Sequence, residues 1–222
     1  MVSSLDTSVI ASHRRQALIK AWEGFSSTSC PDQFNFHLHS ICSDGSLHPL
    51  EVLDQARSLG LQGFTLTDHH TVEGYETILA HLVAGDPHVW VGMEITADLI
   101  GTEVHILGFD FNPAHSALEP YLQGMAVPRA TATDVIKAIH QANGLAVLAH
   151  PFRYTRTGEE LIKAAVQRGM DGIEAYYAYR NNPSPWKPTL DRTQIAEALA
   201  HQHRLYKTGG TDTHGLDITR RI

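Results

Sequence analysis

Short apolar runs in this chain end in histidine or a carboxylate and then give way to a helical pattern. This alternation restricts the fold more than any other feature. The run Phe34–Gly45, FNFHLHSICSDG, sets it out. Phe34, Phe36 and Leu38 alternate with Asn35, His37 and His39, the period of two of a strand with one packed face. His37 and His39 therefore point to the same side, where two imidazoles can ligate one metal ion. Ser43-Asp44-Gly45 makes a turn that leaves a carboxylate at the strand's C-terminal mouth. Ser46 or His48, with Pro49, opens a helix.

The pattern recurs. Gly63–Thr67 reads as a strand ending in Asp68-His69-His70, His88–Met93 ends in Glu94, and Glu103–Phe111 carries His105. Leu145–Ala149 is continuously apolar, which suits a strand buried on both faces, and ends in His150-Pro151. Gly172–Tyr177 holds Glu174, and Leu205–Gly210 ends in Thr211-Asp212-Thr213-His214. Helical spacing covers Val52–Leu59, Val72–Val83, a segment capped by Thr133 or Asp134 and closed by Gly144, Glu159–Arg168, and Arg192–His203. Ahead of these, residues 1–9 read as disordered, Ile10–Phe25 as a helix, and Ser26–Asp32 as a linker. Pro113–Arg129 reads as irregular, with three prolines as breakers. Seven strands alternating with helices predict an α/β fold with parallel strands, and such folds gather ligands at the carboxyl ends of strands. Five of the seven strands end in His, Asp or Glu, which favours a barrel, where those ends meet, over an open sheet.

Taken alone, His37-x-His39 is a weak signal. With 15 His in 222 residues, about one such pair arises by chance. His201-Gln202-His203 supplies a control, since it lies in the helical pattern TQIAEALAHQH, where residues two apart diverge. It reads as a solvated helix pair.

A chain of 222 residues with 42% hydrophobic content suffices for one α/β domain. Its formal net charge of −7 argues against non-specific nucleic-acid binding. No apolar run reaches the length of a membrane span, and no signal-peptide core appears near the N-terminus. Two cysteines, Cys30 and Cys42, make no disulfide framework. A cytoplasmic setting is expected.

The metal-competent residues are His37, His39, Asp44, His69, Glu94, His105, His150, Asp212 and His214. Nine are too many for one zinc, and they suit two or three divalent ions sharing carboxylates. Mixed imidazole and carboxylate donors favour Zn, Mn or Fe. Such a centre activates water and binds the anionic oxygens of a phosphoester. Arg153 and Arg156, just past His150-Pro151, are candidates to grip a phosphate bidentately. His70 reads as an exposed residue of the mouth, and Lys207 as a solvent-facing strand residue. Glu174 reads equally as a substrate contact or a core partner. Tyr176, Tyr177 and Tyr179 read as packing residues, and His13, His48, His81, His88, His115 and His140 as surface or structural.

Six segments in order, HLHSICSDG, LTDHHTVEG, GMEIT, EVHILGF, AHP and GTDTHG, resemble the PHP (polymerase and histidinol phosphatase) metal-dependent phosphoesterases. The resemblance covers Phe34–Gly215. It implies a distorted (β/α)7 barrel over residues 34–222, with residues 1–33 as an N-terminal, partly helical extension, and a trinuclear metal site. Carried over, His37, His39, Glu94 and Asp212 hold a first ion. Glu94, His105 and His150 hold a second, and Asp44, His69 and His214 a third, with Asp68 orienting a ligand. Asp44, His69 and Arg153 are the residues assigned to catalysis. The expected reaction is hydrolysis of a small phosphoester, such as a nucleotide, an oligonucleotide end or a phosphomonoester, by a metal-bridged hydroxide. Members that act on nucleotides carry an inserted helical lid for which residues 110–144 are too few. Two rivals stay open: a metal-binding domain without activity, and an amidohydrolase, which usually has a metal-bridging lysine absent here.

Overall fold

The computed structural model describes residues 4–122, 130–180 and 185–222, with side chains from residue 12 onward. Among the described residues, eight strands fall into two sheets. The first holds β1 (Phe34–Leu38), β2 (Gly63–Leu66) and β3 (His88–Trp90), all parallel. Helices α2 (Pro49–Leu59) and α3 (Glu73–Leu79) make their crossovers. The second sheet holds β4 (Gly92–Leu99), β5 (Thr102–Phe109), β6 (Leu145–Leu148), β7 (Gly172–Tyr176) and β8 (Tyr206–Gly209) in chain order. β4–β5 and β5–β6 are antiparallel, while β6–β7 and β7–β8 are parallel. Helices α4 (Ala132–Gln141), α5 (Gly158–Val166) and α6 (Leu190–His203) connect the later strands.

The fold is therefore α/β, but with mixed sheets rather than parallel strands throughout. The difference arises at Glu94. It does not end a strand, because the chain runs on through β4 to Leu99 and turns back at Ile100-Gly101 into β5. Both turn residues have φ > 0, 50° and 77°, the conformation of a two-residue hairpin turn. So short a link can join only antiparallel neighbours.

Helix boundaries shift for local reasons. His48 caps α2 reciprocally with Glu51, and Thr131, rather than Thr133 or Asp134, caps α4 through the amide of Asp134. Pro49 and the reciprocal cap set the start of α2 where the sequence places it. α3 stops at Leu79, short of Val83. A 3-10 helix over Ser116–Tyr121 lies within the segment read as irregular, and residues 123–129 of that segment lie outside the described residues.

The first helix, α1 (Ser4–Glu23), begins before Ile10, so residues 4–9 are helical rather than disordered. It is built into the main core. Leu18, Trp22 and, just past its end, Phe25 are buried. The Trp22 ring meets Phe109 of β5 at 5.1 Å, Tyr206 of β8 at 5.5 Å and Phe36 of β1 at 6.1 Å between centroids. Arg15 clamps the Asp110 carboxylate at 2.6 Å, and the Trp90 indole donates to the Arg14 carbonyl.

The two sheets are tied to each other by backbone bonds at the carboxyl ends of their strands. His39 N–H donates to Thr213 O (3.1 Å) and Asp212 N–H to His37 O (2.9 Å), joining β1 to the end of β8. His70 N–H donates to Glu94 O (3.0 Å) and Glu94 N–H to Asp68 O (3.2 Å), joining the end of β2 to β4. Two glycines let the backbone close in on β1. A Cβ on Gly45 would stand 2.5 Å from the His39 carbonyl, and one on Gly210 would fall on the Cβ and amide nitrogen of His37.

Candidate metal centre

The seam bonds set the positions of the ligands. β1 carries His37, with His39 one residue past its end turned to the same side, the segment after β2 brings His69, β4 brings Glu94 across the seam, and the segment after β8 brings Asp212 and His214. The structure gathers all nine residues at this one rim. The deepest four are His37, His39, Glu94 and Asp212, each almost fully buried. Glu94 Oε2 lies 3.0 Å from the Nε2 atoms of both His37 and His39. Asp212 Oδ1 lies 3.4 Å and 3.3 Å from the same two atoms. On its other oxygen Glu94 meets His105 Nδ1 at 2.7 Å and His150 Nε2 at 3.3 Å. Toward solvent, Asp44 meets His214 Nε2 at 3.2 Å, His39 Nδ1 at 3.5 Å and His69 Nε2 at 3.7 Å. Asp44, His105 and His214 are the candidate ligands that reach the surface.

Among the described residues, three groups have donor atoms within 4.8 Å of one another: His37, His39, Glu94 and Asp212; His69, Glu94 and His105; and His39, Asp44, His69 and His214. His39 and His69 thus stand between groups that the family pattern keeps separate, and His150 reaches the second through Glu94.

The donors fit a cation. Glu174 Oε1 sits 3.0 Å from His37 Nδ1. A carboxylate only accepts, so that ring nitrogen holds the proton and Nε2 turns a lone pair into the group. There it faces Glu94 Oε2, Asp212 Oδ1 and His39 Nε2, the last at 3.1 Å. So much electron density in a buried space requires a positive charge. Without a metal, protons take that place. Burial pulls His37 down, but Glu174 and Glu94 outweigh it and raise the ring well above its ordinary value. Burial likewise opposes His39, yet hydrogen bonds to Asp212 and Glu94 lift it to about 9. Glu94 and Asp212, though desolvated, are held well below the carboxylate range by the surrounding imidazoles. Burial pushes His69 down to about 4, so it stays neutral and ready to ligate.

Three of the site's backbone positions have φ > 0: His70 at 55°, His150 at 28° and Asp212 at 55°. Such strain in non-glycine residues gathers at functional sites.

The residues around the ligands take defined tasks. Asp68 accepts from the Ser40 amide (2.7 Å), the Ser40 hydroxyl (2.8 Å) and the Ser43 hydroxyl (2.8 Å), which fixes the turn that presents Asp44. Glu174 also accepts the His150 amide at 2.9 Å, so one carboxylate steers two candidate ligands. Arg153 Nη1 donates to Asp212 Oδ2 at 2.9 Å and to the Tyr177 hydroxyl at 3.0 Å.

His70 is buried, not an exposed residue of the mouth. Its Nε2 accepts the Thr96 amide and its Nδ1 bonds the Tyr121 carbonyl. Arg156 is exposed on the loop. Lys207 points to Glu197 (3.8 Å) and the Tyr176 ring, away from the rim. Tyr176 bonds Glu197, whereas Tyr177 bonds Asp212 at 2.5 Å and so belongs to the site. Arg221, whose Nε donates to Asp212 Oδ2 at 2.9 Å, is a site residue that sequence reasoning missed. It stands beyond the last motif with no periodic or spacing signal to mark it.

Known proteins resemble this chain. A 5'-3' exoribonuclease of Haemophilus influenzae is 23% identical over 82% of this chain and 90% of its own length. That alignment runs over 256 residues, so the relative carries segments that this 222-residue chain lacks. A 3',5'-nucleoside bisphosphate phosphatase of Chromobacterium violaceum is 33% identical over 50% of this chain and 39% of its own. The solved structure of an amidohydrolase from Chromobacterium violaceum, with bound sulfate and no metal, shares the fold with a TM-score of 0.70. It has 22% identity and covers 82% of this chain and 88% of that one. The PHP domain model matches residues 35–175, more than half of the sequence, and the chain belongs to the PHP domain family.

Proposed function

We propose that this rim hydrolyses a small anionic phosphoester, a nucleotide, an oligonucleotide end or a simple phosphomonoester, with two or three divalent ions of Zn, Mn or Fe. The chain is a metal-dependent phosphoesterase by family. The observation that carries the proposal is the convergence of His37 Nε2, His39 Nε2, Glu94 Oε2 and Asp212 Oδ1 on one buried point.

In our reading His37, His39, Glu94 and Asp212 hold the first ion. Glu94, His105 and His150 hold the second, and Asp44, His69 and His214 the third. Bound divalent ions supply Lewis acidity toward phosphoryl oxygens and lower the pKa of water. The protein's own part is arrangement. Glu174 and Asp68 fix the ligands, His69 stays neutral, Asp44 faces the entering substrate, and Arg153 binds a phosphoryl oxygen.

We read the two sheets as the halves of a distorted (β/α)7-type barrel, an idea supported by the backbone bonds at both seams. Residues 34–222 would form the catalytic domain and residues 1–33 an extension that seals its far end with Trp22 and Phe25. A cytoplasmic setting fits two free thiols, Cys30 and Cys42. No helix among the described residues is long and apolar enough to cross a membrane.

Turnover of a phosphoester panel by protein loaded with Mn, Zn or Fe tests the reading. Release of phosphate or an alcohol from at least one ester supports it, and no turnover of any ester with metals bound favours the inactive metal-binding rival. The amidohydrolase rival has one point in its favour, the shared fold of the Chromobacterium violaceum amidohydrolase. Competitive inhibition by inorganic phosphate separates the two, since a centre for carbon–nitrogen bonds has no reason to prefer that anion. Among the described residues no lysine reaches the ligand groups, as a bridging lysine would.

A further inference from the structure

Residues 216–222 fold back onto the strand end that carries Asp212. The Ile218 carbonyl accepts from Thr211 Oγ1 (2.8 Å), Thr213 Oγ1 (3.3 Å) and Asn35 Nδ2 (3.0 Å). Gln55 of α2 brackets the same strap, accepting from the Ile218 amide and donating to the Leu216 carbonyl, each at 3.0 Å. The Arg221 carbonyl accepts from the His214 and Gly215 amides. The backbone is thus pinned on either side of Arg221's approach to the metal-ligand set.

Asp212 divides its two oxygens. Oδ1 faces the imidazoles of His37 and His39. Oδ2 takes three donors: the Tyr177 hydroxyl at 2.5 Å, Arg153 Nη1 at 2.9 Å and Arg221 Nε at 2.9 Å. A carboxylate oxygen offers about two lone-pair sites, so three donors exceed its need and one can leave without stranding it. The three are not equally placed to leave. Tyr177 is buried just past the end of β7, Arg221 sits on the pinned strap, and Arg153 lies on the loop after His150 with the most exposed side chain, 38% against 27% for Arg221.

We propose that Arg221 and Tyr177 are positioning residues. They keep Asp212 Oδ1 turned toward His37 and His39, where it would help hold the first ion, and this frees Arg153 to move from Asp212 to a phosphoryl oxygen when substrate binds. The proposal rests on the phosphoesterase reading for its second half only. No bond is made or broken in the exchange; one N–H donor passes from a carboxylate to a phosphoryl oxygen.

Manganese titration of chelator-stripped protein reads the first half, and inhibition by inorganic phosphate at saturating manganese reads the second. Arg221→Ala is expected to weaken manganese binding and lower kcat by about tenfold to a hundredfold, with the phosphate inhibition constant nearly unchanged. Arg221→Lys, which can return a point charge to Oδ2, recovers part of that loss. Arg153→Ala is expected to do the reverse, raising KM and the phosphate inhibition constant while manganese binding stays as in the parent. Should Arg221→Ala fail to fold, Tyr177→Phe removes one donor with the ring kept and is expected to weaken manganese binding in the same direction. Unchanged manganese binding in both Arg221→Ala and Tyr177→Phe overturns the proposal. So does loss of manganese binding in Arg153→Ala with phosphate inhibition unaltered. The manganese titration still decides the positioning role if the parent protein cleaves no ester, so the two readings fail separately.

Discussion

His37 has its ring nitrogens committed to opposite tasks, one to Glu174 and one to the ligand group. That division makes Glu174 as consequential as a ligand. Glu174→Ala leaves a buried N–H without its acceptor and frees the ring to rotate. Metal binding is expected to weaken by about tenfold to a hundredfold, read by titration of the stripped protein, with the fold unchanged by circular dichroism. Binding equal to the parent would mean that Glu174 is only a core partner. The alternation Phe34–His39 made the two imidazoles legible from sequence, because a strand's period fixes which side chains share a face. The task of Glu174 was not legible, since the sequence shows only an acidic residue inside an apolar strand. Tyr177 and Arg221 were hidden for the same reason: each meets Asp212 only in the folded chain, across 35 and 9 positions of sequence.

At the scale of elements, β1 is held by close approaches on both sides. Gly210→Ala is expected to push β8 away from β1 and to displace His37, lowering both stability and metal binding. A thermal melt and a manganese titration that both match the parent would contradict this. Trp22→Ala on α1 removes a buried indole from three aromatic neighbours and is expected to cost about 3–5 kcal/mol, measured by denaturant unfolding, while manganese binding of the folded fraction stays intact. A loss under ~1 kcal/mol would show that α1 is an appendage rather than part of the core. The sequence showed α1 through its helical spacing, yet not where its face docks. It also showed nearly every strand. The exception was the β4–β5 hairpin, because its turn places an isoleucine, a residue that rarely adopts φ > 0, where asparagine or glycine would have announced it.

For the whole molecule, the buried carboxylates raise the His37 and His39 imidazoles of the proposed metal centre above their ordinary range. His39, raised to about 9 against an ordinary imidazole value near 6.5, contributes stability that is fully present below pH ~6.5 and lost as pH rises through about 9. Metal-free protein is therefore expected to melt at progressively lower temperature from pH 6.5 to 9. Loading with manganese is expected to release protons, to bind more tightly as pH rises over the same window, and to remove the decline in melting temperature. A metal-free melting temperature that is flat or rising across this window would count against the protonated cluster.

The most direct measurement is anomalous scattering from crystals grown with manganese and soaked in phosphate. The account predicts a strong peak enclosed by His37, His39, Glu94 and Asp212, at least one more beside Glu94 or Asp44, and a phosphate against them with Arg153 turned toward it. A map with no peak among those first four side chains, at manganese concentrations that saturate binding in solution, would contradict it.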